Sequence, residues 1–172
     1  MKVVYILGAG FSVEAGAPVQ ANILPEAIRL YAETPQEYNN ERFSIFKNFI
    51  INQLGYAEET LKDVEIEDIF TPLDRCLTES SQFRGIGLDK IMEVREAVFH
   101  VIGRTIQLVL NNTQNSKQYI NEFANYLTEK SSVRAGGSYR TSDPVSVIST
   151  NWDILLDNSI HQSIVQSSHN AV

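Results

Sequence analysis

The chain has 172 residues, 43% hydrophobic and 20% charged, with 14 Lys+Arg against 21 Asp+Glu for a formal charge of -7. This is an ordinary globular balance at the length of one domain, which excludes disorder and a fibrous repeat, and no basic run suits direct nucleic-acid binding. One cysteine, Cys76, excludes an internal disulfide and a four-thiolate zinc site; no secretory signal or apolar run of about 20 residues is present, so a cytoplasmic chain without a membrane span is expected.

Lys2 to Leu7 is β-branched and aromatic after its first residue, which predicts a strand buried on both faces in a parallel sheet. A glycine turn follows at once. In "LPEAIRLYAE", Pro25 stands at an expected first helical position, and the helix should stop before Thr34-Pro35. Phe43, Phe46, Ile50 and Leu54 step by three or four and predict a helix over 41–54, with Gly55 as a left-handed cap. Ile66, Ile69, Phe70, Leu73, Cys76 and Leu77 continue the pattern across Pro72, so this element is either kinked there or restarted with Thr71 as cap. Cys76 reads as a small buried hydrophobe.

Leu88 to Leu110 holds one apolar face for more than twenty residues and is the clearest helix. "KQYINEFANYLTEK" predicts another, and "SSVRAGGSYRTSDP" has the composition of a loop. A second strand is expected at Pro144 to Thr150, running into a helix within "NWDILLDNSIHQSIVQ". Strand, polar turn and helix thus occur twice around a helical insertion of about 37–131. Two strands do not make a stable doubly wound sheet, so either further short strands lie in the middle or the chain is the N-terminal part of a longer protein, and the second reading is favoured.

In "LGAGFSVEAG" the glycines are Gly8, Gly10 and Gly16, and Val13 occupies the third position of the dinucleotide fingerprint G-x-G-x-x-G, which therefore fails. The turn still has a physical logic: Gly8 and Gly10 let backbone approach a pyrophosphate, Ser12 offers a hydroxyl, and a helix start presents N–H groups. The plain alternative is a tight strand-to-helix turn with no ligand. The second cluster, "STNWDILLD", places Thr150, Asn151 and Asp153 at the carboxyl end of a strand, where they either grip a substrate or cap the next helix.

Gly8-Ala9-Gly10-Phe11-Ser12 through Gly16-Ala17-Pro18, followed by Thr150-Asn151-Trp152-Asp153 and Leu155-Leu156-Asp157, resembles the sirtuin-like NAD-binding domains of bacterial anti-phage defence. "IEDIF" is similar to an acidic-apolar helix in their insertion. The resemblance implies an α/β, Rossmann-like sirtuin-type parallel sheet with a large helical insertion. It also implies NAD held as substrate by Gly8, Ala9, Gly10, Ser12, Gly16, Thr150, Asn151 and Asp153. Asn151 would be the catalytic ribose-binding residue, Asp153 a carboxamide or structural partner, and no metal is called for. The activity implied is hydrolysis of NAD to nicotinamide and ADP-ribose as a defence effector, by a homo-oligomer or with other defence-complex subunits. Fixed polar groups around the ribose suit the oxocarbenium-like transition state, and nicotinamide, a cationic leaving group, needs no general acid.

The chain also departs from the family's pattern. Val19-Gln20-Ala21-Asn22 stands where sirtuin deacylases carry D-F-R, and the zinc module cannot be built, so protein deacylation is not expected. The family's histidine base sits in an apolar-H-G context; His169, eighteen positions after Asn151, is the candidate here, although "SSHNAV" lacks that context. His100 and His161 read as structural or surface residues. A non-catalytic NAD- or nucleotide-sensing module is the alternative function, and an oligomerisation role for the helical insertion is a third reading.

Overall fold

A computed structural model describes residues 2–130, 145–151 and 154–169. The expected Rossmann-like α/β sheet is not what the chain forms: it is 71% helical, a small α-rich protein whose sheet among the described residues is a single parallel pair of strands. The physical reason is in the pattern: the apolar stretches of the described residues between the two strands repeat at helical spacing, and there they form helices in place of further strands. The expected loop over 131–144 lies outside the described residues.

The chain divides into two compact units, residues 18–112 and residues 1–17 with 113–172. The unit at 1–17 and 113–172 contains β1 (Val3–Leu7), the single-turn α1 (Gly10–Val13), α6 (Gln118–Lys130), β2 (Val145–Ser149) and α7 (Leu155–His169). β1 and β2 pair in parallel, from Val3 opposite Val145 to Leu7 opposite Ser149. β1 is not buried on both faces as expected, since Val4 and Ile6 are 57% and 74% exposed. Only the alternate residues Tyr5 and Leu7, with Val145 and Val147 of β2, pack on the core of Ala15, Ile120, Ala124, Leu127 and Leu156. α6 and α7 pack together, and two polar pairs join them: Thr128 Oγ1 with the buried Ser163 Oγ at 2.7 Å, and Ser159 Oγ donating to Asn121 Oδ1 at 2.8 Å.

The unit at 18–112 is one continuous segment. α2 (Gln20–Glu33) begins five residues before Pro25, which stands inside it rather than at its start. Ile23 and Leu24 are buried and the helix packs on α5 (Leu88–Asn112), so apolar docking extends it through the missing proline N–H. It stops before Thr34-Pro35 as the sequence requires. α3 (Asn40–Asn48) is capped by Asn39, whose Oδ1 accepts from the Arg42 N–H at 3.0 Å. It widens into a looser turn at Phe49–Leu54, where Gly55, left-handed at φ 86°, closes the end as expected by donating to Ile50 O. α4 (Ile66–Glu79) runs unbroken through Pro72, with Ile69 and Leu73 fully buried on either side of it.

α5 supplies Ile91, Val98 and Ile102 to a core completed by Leu24, Phe43, Phe46, Ile50, Ile69 and Leu73. Its buried Thr105 is satisfied twice, by Val101 O at 2.7 Å and by the Tyr38 hydroxyl at 2.9 Å. Near this pair, His100 Nε2 accepts from the Asn39 N–H at 3.4 Å. Burial, followed by the positive charges of Arg42 and Arg104, holds the imidazole below its ordinary value of 6.5. Folding therefore favours neutral His100, so its contribution is complete above pH 6.5 and is lost as pH falls through the lowered folded value. The expected result is a steeper loss of unfolding free energy below pH 6.5 in the wild type than in His100→Gln, checked by urea unfolding across that range.

Candidate functional site

β1 delivers the chain at Leu7 into the glycine turn, which folds tightly on itself. The Phe11 N–H donates to Gly8 O at 2.9 Å and the Ser12 N–H to Ala9 O at 3.0 Å. These two donors, expected to await an anion, are thus used inside the turn. The Ala17 N–H then donates to Ser12 O at 3.1 Å and closes the segment.

The three glycines have different reasons to be glycine. Gly16 is left-handed at φ 91°, and a Cβ there would lie 2.5 Å from Thr113 Oγ1, so the chain's own packing demands it. Gly8 and Gly10 have no positive φ, and a Cβ at either would meet nothing within 4 Å. Nothing among the described residues requires glycine at these two positions; the backbone is simply left bare beside open space.

An aromatic clamp holds the turn. Phe11 packs edge-on against Tyr119 at 5.6 Å and Phe123 at 5.7 Å, both from α6, and the Tyr119 hydroxyl donates to Phe11 O. Phe123 also meets Tyr5 of β1 at 5.1 Å. The Tyr5 hydroxyl donates to Tyr126, which pushes its own ionisation up. Sequence reasoning missed Thr113, Tyr119 and Phe123, because on an amphipathic helix or in a polar linker nothing in their spacing separates a clamp from ordinary core.

The second cluster arrives by the parallel pairing. Thr150 adds a last rung to the sheet, donating to Leu7 O from both its N–H at 3.0 Å and its Oγ1 at 3.2 Å. Asn151 follows, and its Nδ2 donates to Ser12 Oγ at 3.1 Å across 139 positions of sequence. Ser12 is 1% exposed. Asn151 therefore does not cap α7; its carboxamide reaches the glycine turn instead. Its Oδ1 is buried and has no hydrogen-bond partner among the described residues. A buried acceptor left unmade costs about 1–3 kcal/mol.

Ser12, Thr150 and Asn151 are thus brought to the ends of the two strands, beside Gly8, Ala9 and Gly10. Asp153 lies outside the described residues, and His169 is the last residue of α7. His161 stands exposed on α7, and His100 belongs to the other unit. Neither Ser12 nor Asn151 titrates near neutral pH, so the pair can orient and hydrogen-bond a ligand but does not itself exchange protons. Among the described residues no three His, Cys, Asp or Glu side chains gather as metal ligands, and no helix is long and apolar enough to cross a membrane. No protein family, curated protein or solved structure matches the chain.

Gly16→Ala should destabilise the protein by about 2 kcal/mol, through the left-handed backbone and the Thr113 overlap, measured by denaturant unfolding. Tyr119→Phe should cost about 1 kcal/mol in the same measurement for the hydrogen bond to Phe11 O.

Proposed function

We propose that the Gly8–Ser12 turn and Asn151 bind NAD, and that the chain hydrolyses it to nicotinamide and ADP-ribose. The observation that carries the reading is the meeting of Asn151 with Ser12 across 139 positions of sequence, at the ends of the two strands. The bare backbone at Gly8 and Gly10 supports it, since close approach of a diphosphate accounts for glycines that the chain's own packing does not explain. The reading rests on the two motifs and their convergence, not on the fold.

In the reaction, water adds to the anomeric carbon of the ribose, the N-glycosidic bond breaks with its electron pair going to nicotinamide, and one proton is released. No general acid is needed, because the positive charge leaves the nicotinamide ring as the bond breaks, and fixed polar groups around the ribose suit the charge that develops on it. Thr150 holds Asn151 in place through Leu7, and Gly16 shapes the end of the turn. Asp153 is assigned to the carboxamide and His169 to the attacking water. The activity serves anti-phage defence, with the chain working beside copies of itself or further subunits.

Nicotinamide release from NAD by the purified chain is the test. Asn151→Ala should lower it by about a hundredfold or more. Gly10→Ala should leave the melting temperature unchanged or raised, since nothing crowds that position, while abolishing its upward shift with NAD. Release that persists in Asn151→Ala would sink the catalytic assignment. No release from the wild type, with NAD still raising its melting temperature, would leave a binding module.

A further inference from the structure

α5 packs on α2, α3 and α4 along one side and leaves another side in the open. On that open side Met92 and Phe99 are 52% and 41% exposed, Gly103 and Gln107 are exposed, and Leu110 is half-buried. Steps of seven, four, four and three set these five residues along one stripe of a straight helix. The apolar residues Ile91, Val98 and Ile102 serve the core; Met92 and Phe99 do not point there.

Two features of the stripe call for a reason. Phe99 is a large apolar side chain braced at the surface: the Phe70 ring of α4 packs on it at 5.0 Å, and the Arg95 guanidinium lies over it at 4.6 Å while pairing with Asp74 at 2.6 Å. A ring held in this way loses little freedom on docking. Gly103, one turn further on, is a poor helix former inside a 25-residue helix. It has no positive φ, and a Cβ there would meet nothing within 4 Å, so packing among the described residues does not explain the missing side chain.

We propose that this face docks a second copy of the chain, α5 against α5 in antiparallel sense about a two-fold axis beside Val101, with Phe99 of each copy seated over Gly103 of the other. A two-fold contact pairs residue i with j and j with i, so a knob and a socket on the same stripe make a surface complementary to itself. That is why the occupant is a second copy and not an unrelated protein. The bare backbone at Gly103 lets the facing ring come close. The same axis sets Met92 opposite Leu110 and Arg95 opposite Gln107, and it places no two like charges opposite one another. Sliding the copies to put Met92 over Gly103 would instead press Phe99 against the Glu96 carboxylate. The inference rests on α5 alone and not on the function proposed above.

Sedimentation equilibrium of the full chain tests it, at physiological ionic strength, where a Debye length of about 8 Å screens the formal charge of -7 on each copy. Over a concentration series reaching millimolar, the 19.3 kDa chain should pass to twice that mass. Gly103→Gln fills the socket with a good helix former. Its melting temperature in dilute solution should hold or rise, while its dimer should be weaker by about tenfold or more. A second measurement needs no substitution: in a mixture of isotope-labelled and unlabelled wild type, filtered NMR should show contacts from the Phe99 ring of one copy to the Gly103 α-protons of the other. A chain that stays monomeric throughout overturns the inference. So does a dimer that Gly103→Gln leaves intact, or one in which the Phe99 to Gly103 contact between copies is missing.

Discussion

Everything at the candidate site depends on one piece of pairing, the parallel alignment of β1 with β2 and the extra rung that Thr150 adds at Leu7 O. Without it, Ser12 and Asn151 have no reason to meet, since the chain between them is long enough to separate them anywhere in the molecule. Closing so long a loop costs only logarithmically more than closing a short one. The contacts that compensate are equally non-local: α6 and α7 against the inner face of the sheet, and the aromatic clamp on Phe11.

The two units handle stability differently. The continuous segment 18–112 builds its core from neighbouring helices, with a buried hydroxyl pair fully satisfied at Thr105 and Tyr38. The unit at 1–17 and 113–172 is assembled from both ends of the chain and leaves Val4, Ile6 and Ile148 of its small sheet exposed. It also carries the cost that the other unit avoids, a buried polar atom without a partner. An unsatisfied group beside two unexplained glycines is a local departure from the consistency that natural sequences otherwise keep, and such departures concentrate at functional positions.

The chemistry open to this arrangement is that of orientation. Ser12, Thr150 and Asn151 are neutral, and the hydrogen bonds they make, Asn151 to Ser12 and Thr150 to Leu7 O, set direction and not charge. Bare backbone at Gly8 and Gly10, the Asn151 carboxamide set against Ser12 and a turn clamped by Phe11 make a fixed, neutral polar arrangement at the ends of the two strands. This demands little of the protein beyond placement, and placement is what the β1–β2 pairing and α6 provide.

Much of the helical architecture was legible in the sequence. The apolar faces over 41–54, 66–77 and 88–110, the stop at Thr34-Pro35 and the cap at Gly55 all follow from local periodicity and backbone preference, which act within a few residues and so are written in the chain. The glycine turn and the Thr150–Asn151 segment were legible as polar islands for the same reason. Tertiary packing alone decided that α2 starts before Pro25, that α4 passes through Pro72, and that β1 is covered on one face only, because each outcome depends on what lies against the element and not on the element itself. It also decided that the described residues pair only two strands, and that Asn151 turns to Ser12 instead of capping α7. Hydrogen bonds between residues 139 positions apart leave no trace in local pattern, since either partner could have been satisfied nearby.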